Sequence, residues 1–120
     1  MKFLVEMPPT GEREFHSKDA VSKAFDDFLR EAGPFFALYS AEGECLIERN
    51  GEDFLLSAWG QGDASRWFTC RYPRKGAISS ENDCFIDAAS LKRVFKGFLM
   101  NLRRPERDGL EWVSTESLYD

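Results

Sequence analysis

The sequence predicts an α+β domain: an antiparallel meander sheet of about five to six strands with two helices packed on one face. Two segments of helical period, each with start and stop signals, stand among short β-like runs. Those runs follow one another across turn residues instead of alternating with helices, so hairpins outnumber βαβ units and the strands pair antiparallel. The 120 residues suit a single domain over 1–120, and eleven Phe supply bulk for a real core.

Phe3, Val5 and Met7 alternate with Lys2, Leu4 and Glu6, as in a half-buried strand, and Pro8-Pro9-Thr10-Gly11 breaks the run. Arg13 to His16 completes a hairpin. Ser17 is a natural N-cap, because its hydroxyl can accept from an orphan amide of the first helical turn. Val21, Ala24, Phe25, Phe28, Leu29 and Ala32 then form one apolar stripe, giving a helix over about 18–32. Gly33 is expected to take the left-handed closing turn, and Pro34 forbids continuation.

Phe35–Ser40, Cys45–Arg49, Asp53–Trp59 and Arg66–Tyr72 read as four successive strands. The turn Asn50-Gly51 is the strongest hairpin signal among them, and Gly60-Gln61-Gly62-Asp63 makes another turn. Pro73-Arg74-Lys75-Gly76 ends the last strand, 77–82 reads as loop, and Asp83–Ile86 as a brief strand. Asp87 caps a second helix whose stripe is Leu91, Val94, Phe95, Phe98 and Leu99, with Lys92, Arg93 and Lys96 on its polar side. Arg103-Arg104-Pro105 ends it, Leu110–Val113 suits a final strand, and 114–120 is expected to be a loose tail.

Three widely spaced cysteines without a CxxC pair fit neither a disulfide framework nor a zinc ribbon. With no apolar run long enough for a signal peptide or a membrane span, the expectation is a reduced, cytoplasmic protein that stays off the membrane. The formal net charge of −5 is unevenly placed: −2 over 1–40, −5 over 41–64, +6 over 65–104 and −4 over 105–120. Such segregation can build faces of opposite potential.

No catalytic arrangement emerges, and neither cofactor nor metal is expected. His16 is the only histidine, and Cys45, Cys70 and Cys84 lie in apolar strand-like runs where cysteine is a small buried hydrophobe. Gly60-Gln61-Gly62 lacks the third glycine and the strand-to-helix setting of a dinucleotide site. Two binding surfaces stand out instead. Arg66-Trp67-Phe68-Thr69-Cys70-Arg71-Tyr72-Pro73-Arg74-Lys75 interleaves rings and cations in the manner of a single-stranded nucleic-acid platform. Its structural alternative is a core strand whose arginines pair with acidic neighbours, and a pI near 5.0 makes direct nucleic-acid binding the weaker expectation. The second surface is an acidic meander, Glu42, Glu44, Glu48, Glu52, Asp53 and Asp63, with only Arg49 to oppose it. It would steer a basic partner.

Asp87-Ala88-Ala89-Ser90-Leu91-Lys92-Arg93-Val94-Phe95-Lys96-Gly97-Phe98-Leu99, then Arg104-Pro105 and Leu110-Glu111-Trp112, resembles a bacterial immunity-protein family. That family sits beside polymorphic and contact-dependent toxins, notably those of the nucleic-acid deaminase type, and Trp59 at the end of a central strand also fits it. The four residues 106–109 before the Leu110-Glu111-Trp112 segment depart from the family's spacing. The resemblance implies a non-enzymatic inhibitor that binds a cognate toxin domain. Charge complementarity then points to the acidic meander as the contact, with Trp59 or Trp67 as aromatic anchor.

Overall fold

The computed structural model describes residues 1–73, 83–106 and 109–118. Arg74, Lys75, the loop expected over 77–82, and Arg107-Asp108 in the departing spacing lie outside the described residues. The chain runs β1 (Phe3–Met7), β2 (Gly11–Phe15), α1 (Lys18–Glu31), β3 (Phe35–Ser40), β4 (Gly43–Asn50), β5 (Asp53–Trp59), β6 (Phe68–Arg71), β7 (Ile86–Asp87), α2 (Ala88–Asn101) and β8 (Glu111–Ser114), ending in a 3₁₀ turn, Thr115–Leu118. The spatial order is β2-β1-β3-β4-β5-β6-β8, with β7 beside the start of β5. Every pairing is antiparallel.

The α+β architecture is the one expected from sequence, but the sheet has eight strands among the described residues rather than five to six. The charged Gly11–Phe15 segment pairs along the whole of β1, and the two-residue β7 finds room where β6 has not yet joined β5. The β2 strand forms one edge, with Glu12, Arg13 and Glu14 all exposed.

Period-2 alternation decides which side chains meet the helices. Phe3, Val5, Phe36, Leu38, Cys45, Ile47, Phe54, Leu56, Ala58 and Cys70 all point to one face, where Val21, Phe25, Phe28, Leu91, Val94, Phe95 and Phe98 cover them. Phe25 and Phe95 stack at 4.2 Å between ring centroids and join the two helices. Phe36 meets both edge-on, at 5.7 and 5.4 Å. Truncating one of these rings to alanine would cost about 3–5 kcal/mol.

Ser17 caps α1 as expected, its hydroxyl accepting from the Ala20 amide at 3.1 Å, and Asp87 accepts from the Ser90 amide at 2.7 Å to cap α2. The left-handed residue closing α1 is Ala32, with φ of 57°, and not Gly33. Arg49 reaches across from β4 to complete that helix end: its Nε donates to the Gly33 carbonyl and its Nη2 to that of Phe28, each at 2.8 Å. A guanidinium on the carbonyl end of a helix is also favoured by the helix dipole.

Residues 115–118, expected to be loose, are packed. Thr115 donates its amide to the Trp67 carbonyl at 3.0 Å, and Leu118 is buried with Leu55 and Cys84 against Phe85 and Val113. This small cluster lies on the side of the sheet away from the helices, because Leu55 alternates with the inward-facing Phe54 and Leu56.

Candidate interaction surface

The rest of that outer face carries the candidate site. Strand register lays Leu4, Tyr39, Glu44 and Trp59 in one row across β1, β3, β4 and β5. The next row is Glu6, Ala37, Leu46 and Ser57, and a third is Phe35, Glu48 and Leu55. Leu4, Phe35, Tyr39, Leu46 and Trp59 remain half-buried, while Glu48 is exposed. Trp59 donates from Nε1 to Glu44 Oε2 at 2.5 Å, which holds the indole across the β4–β5 pair.

Carboxylates gather around Tyr39. Its hydroxyl is held above the ordinary tyrosine range, first by partial burial and then by the nearby charges of Glu6, Glu44 and Glu12. Glu14, farther out on β2, is engaged by Lys2 at 3.1 Å and His16 at 2.9 Å. Arg49, the cation that the sequence set against the acidic meander, sits on the opposite face, between the Phe28 and Phe54 rings. The face is therefore more acidic than the charge count along the strands suggested.

The other residues singled out from sequence separate. Glu42 and Glu52 are exposed in the turns at opposite ends of β4, and Asp53 is exposed at the start of β5, paired in register with Asn50. Trp67 is half-buried just before β6, at the end of the sheet closed by the 3₁₀ turn.

Asp63 does not belong to the acidic surface. Arg104 grips it through Nε at 2.7 Å and Nη2 at 2.5 Å, and the Asp63 side chain is only 7% exposed. The Gly60 amide donates to the same carboxylate at 2.9 Å, and these contacts, led by the Arg104 bond, hold its pKa below the usual aspartate value. The guanidinium lies 3.7 Å from the Phe68 ring centroid and 5.5 Å from that of Trp112, whose Nε1 donates to the Pro105 carbonyl at 2.8 Å. Gly60 is required at this clasp, since a Cβ there would stand 2.4 Å from the Leu102 carbonyl oxygen. Arg104, Pro105 and Trp112, which carry the family resemblance, thus tie the end of α2 to β8 and to the turn after β5.

The basic, aromatic strand is also internally engaged. Arg71 is buried, with its side chain 7% exposed, and pairs with Glu111 through Nε and Nη2. Phe68 is covered by Arg104. Tyr72 is exposed, but its hydroxyl accepts from the Asp87 amide at 3.0 Å. Cys45, Cys70 and Cys84 are all buried. Burial is the first cause that raises the Cys45 thiol pKa, and it pushes Cys70 up to about 12, so both thiols are protonated at neutral pH. His16 lies against Glu14 at the far edge of the sheet, beside β2, three strands outward from β4.

The sequence argument missed Glu6, Glu12 and Tyr39. The signal was present in β1, since burying Phe3, Val5 and Met7 turns Glu6 to the other side. Among the described residues no group of three or more His, Cys, Asp or Glu is placed to hold a metal ion, and no helix is long and apolar enough to cross a membrane. Comparison with family models, curated proteins and solved structures found no match to this chain.

Proposed function

We propose that this protein is an immunity protein that neutralises a cognate bacterial toxin domain by binding it in the cytoplasm of the producing cell, with the outer sheet face as the contact surface. One observation carries the surface assignment: Glu6, Glu12, Glu44 and Glu48 surround half-buried Tyr39, Leu46 and Trp59, while Arg49 faces the helices. Apolar side chains rimmed by carboxylates that outnumber Lys2, the cation beside Leu4 and Tyr39 that pairs with Glu14, suit a basic protein surface, with steering from the charges and adhesion from the rings. An enzyme that acts on nucleic acid presents such a basic cleft, which agrees with a toxin of the deaminase class. The resemblance in Asp87–Leu99, Arg104-Pro105 and Leu110–Trp112 supports the family, and because those residues are engaged in the helix cap, the core and the clasp, the contacts must come from elsewhere.

The decisive experiment is titration calorimetry against the C-terminal domain encoded by the gene adjacent to this one, coupled to a toxicity assay. A one-to-one complex of about nanomolar affinity that abolishes toxicity is the expected result. Absence of binding to an active toxin domain would refute the proposal.

A further inference from the structure

Taking the outer sheet face as the contact surface, as proposed above, we infer that Tyr39, Glu44 and Trp59 form a seat for one arginine side chain of the partner protein. Glu44 is the anchor, and Trp59 is the residue that positions it. Register places Glu44 on β4 directly between Tyr39 on β3 and Trp59 on β5, all three half-buried. Directly opposed residues stand about 5 Å apart at Cβ, so the carboxylate has a ring as immediate neighbour on each side. The Trp59 indole donates to Glu44 Oε2, which fixes the side chain and leaves Oε1 to accept from an incoming donor.

The molecule already shows what such a set of groups holds. At the clasp, Asp63 is fixed by the Gly60 amide. Arg104 meets that carboxylate while lying 3.7 Å from the Phe68 ring centroid and 5.5 Å from that of Trp112. The row on the outer face repeats these components, a carboxylate held by an N–H donor with two rings beside it, but lacks the arginine. Among the described residues no cation of this chain pairs with Glu44. Lys2, which borders a hollow together with Tyr39, is engaged by Glu14 at 3.1 Å. Arg49 lies on the opposite face, against Phe28 and Phe54.

Shape selects arginine over lysine. A planar guanidinium can donate to Glu44 with one edge and lie against a ring with its face, whereas an ammonium is a more strongly hydrated point charge. Glu6 and Glu12, whose charges also reach the Tyr39 hydroxyl, add attraction for the same cation. These carboxylates oppose a phosphate or a carboxylate as occupant.

The test is NMR titration of the full chain, ¹⁵N-labelled, with Nα-acetyl-arginine amide at constant ionic strength. It is read at the Trp59 indole N–H and at the Tyr39 and Glu44 amides, with the lysine and the neutral citrulline analogues for comparison. A saturable shift below about 0.1 M is expected for arginine, weaker by at least about fivefold for lysine and absent for citrulline. Glu44→Gln keeps the shape of the side chain and is expected to abolish binding. Trp59→Phe keeps a ring and removes the tether, so binding should weaken several-fold while the fold persists, which loss of a purely structural tryptophan would not cause. No saturable shift, an equal response to lysine or citrulline, or binding unchanged in Glu44→Gln would overturn the inference. Shifts of the same signals on raising protein concentration alone would place a second copy there and likewise overturn it. The functional proposal is judged separately. A toxin complex of unchanged affinity in Glu44→Gln would keep the inhibitor and remove the arginine seat, whereas arginine binding without toxin neutralisation would do the reverse.

Discussion

Asp63 and Glu44 look alike in the sequence, each an acid in the same negative stretch beside a Gly-rich turn or an aromatic strand, yet the fold gives them opposite fates. Asp63 is held at the clasp by the Gly60 amide and by Arg104, which itself lies against the Phe68 and Trp112 rings. Glu44 lies on the open face among other carboxylates and holds only the Trp59 indole. Formal charge along a chain therefore overstates the charge available to a partner at one site and understates it at another. Loss of the Asp63 negative charge from the surface matters less than the removal of Arg49 to the far side, which leaves Glu44 and Glu48 without the cation that sequence had placed beside them.

The largest effect should come from breaking the clasp. Asp63→Ala leaves the largely buried Arg104 unpaired and should destabilise the fold by about 3–5 kcal/mol, read by urea denaturation at neutral pH. The sign of its pH dependence follows from the lowered pKa of Asp63. A depressed folded-state value means that the stabilisation is present above the unfolded aspartate value, about 3.9, and fades as pH falls through the folded one. The gap between wild type and Asp63→Ala should accordingly narrow in acid. A gap that stays constant down to the acid transition would break the contrast between the two regions.

Reversing the open face should cost the fold far less. Glu44→Lys/Glu48→Lys is expected to lower affinity for the proposed toxin domain by about a hundredfold, close to 2.7 kcal/mol, while stability falls by about 1 kcal/mol at Glu44, which loses the Trp59 indole bond, and by about 0.5 kcal/mol at Glu48. Calorimetry and denaturation on the same variant separate the two quantities. A variant that unfolds without losing affinity would assign these glutamates to the fold.

Smaller again is the loss of the indole tether. Trp59→Phe keeps the ring and removes the bond to Glu44, an expected cost of about 1 kcal/mol in stability. The smallest effect concerns Tyr39. Its raised pKa should move back toward the ordinary tyrosine value in Glu6→Gln/Glu44→Gln, followed by NMR of the ring. A raised folded-state value means that the tyrosine's contribution is complete below about pH 10 and fades as pH rises through the folded one. An unmoved Tyr39 would show that burial alone holds it and that the carboxylates lie too far away to matter.

Much of this fold was legible because its signals are local. The spacing of Val21, Phe25 and Phe28, the Ser17 and Asp87 caps and the Asn50-Gly51 turn each announce an element within a few residues. Alternation in β1 even assigns each side chain to a face. What the local pattern could not supply was the identity of distant partners. Arg49 fills a helix end sixteen residues upstream at Gly33, and Asp63 waits for Arg104, forty-one residues on. Leu118 belongs to the core of the outer end only because Leu55, Cys84 and Val113 converge there. The candidate surface was half visible for the same reason: Glu44, Glu48 and Trp59 come from one hairpin, while Glu6, Glu12 and Tyr39 join it through pairings made across the sheet.

The outermost strand has a consequence for how this protein coexists with its own copies at high concentration. A sheet ending in a bare strand is a template on which another chain can continue hydrogen bonding, a hazard that grows with concentration. Here the last strand is β2, whose exposed Glu12, Arg13 and Glu14 put charge on both sides of the free edge. An incoming strand would have to strip water from those groups before gaining its backbone bonds, so this edge of the sheet resists extension by another chain.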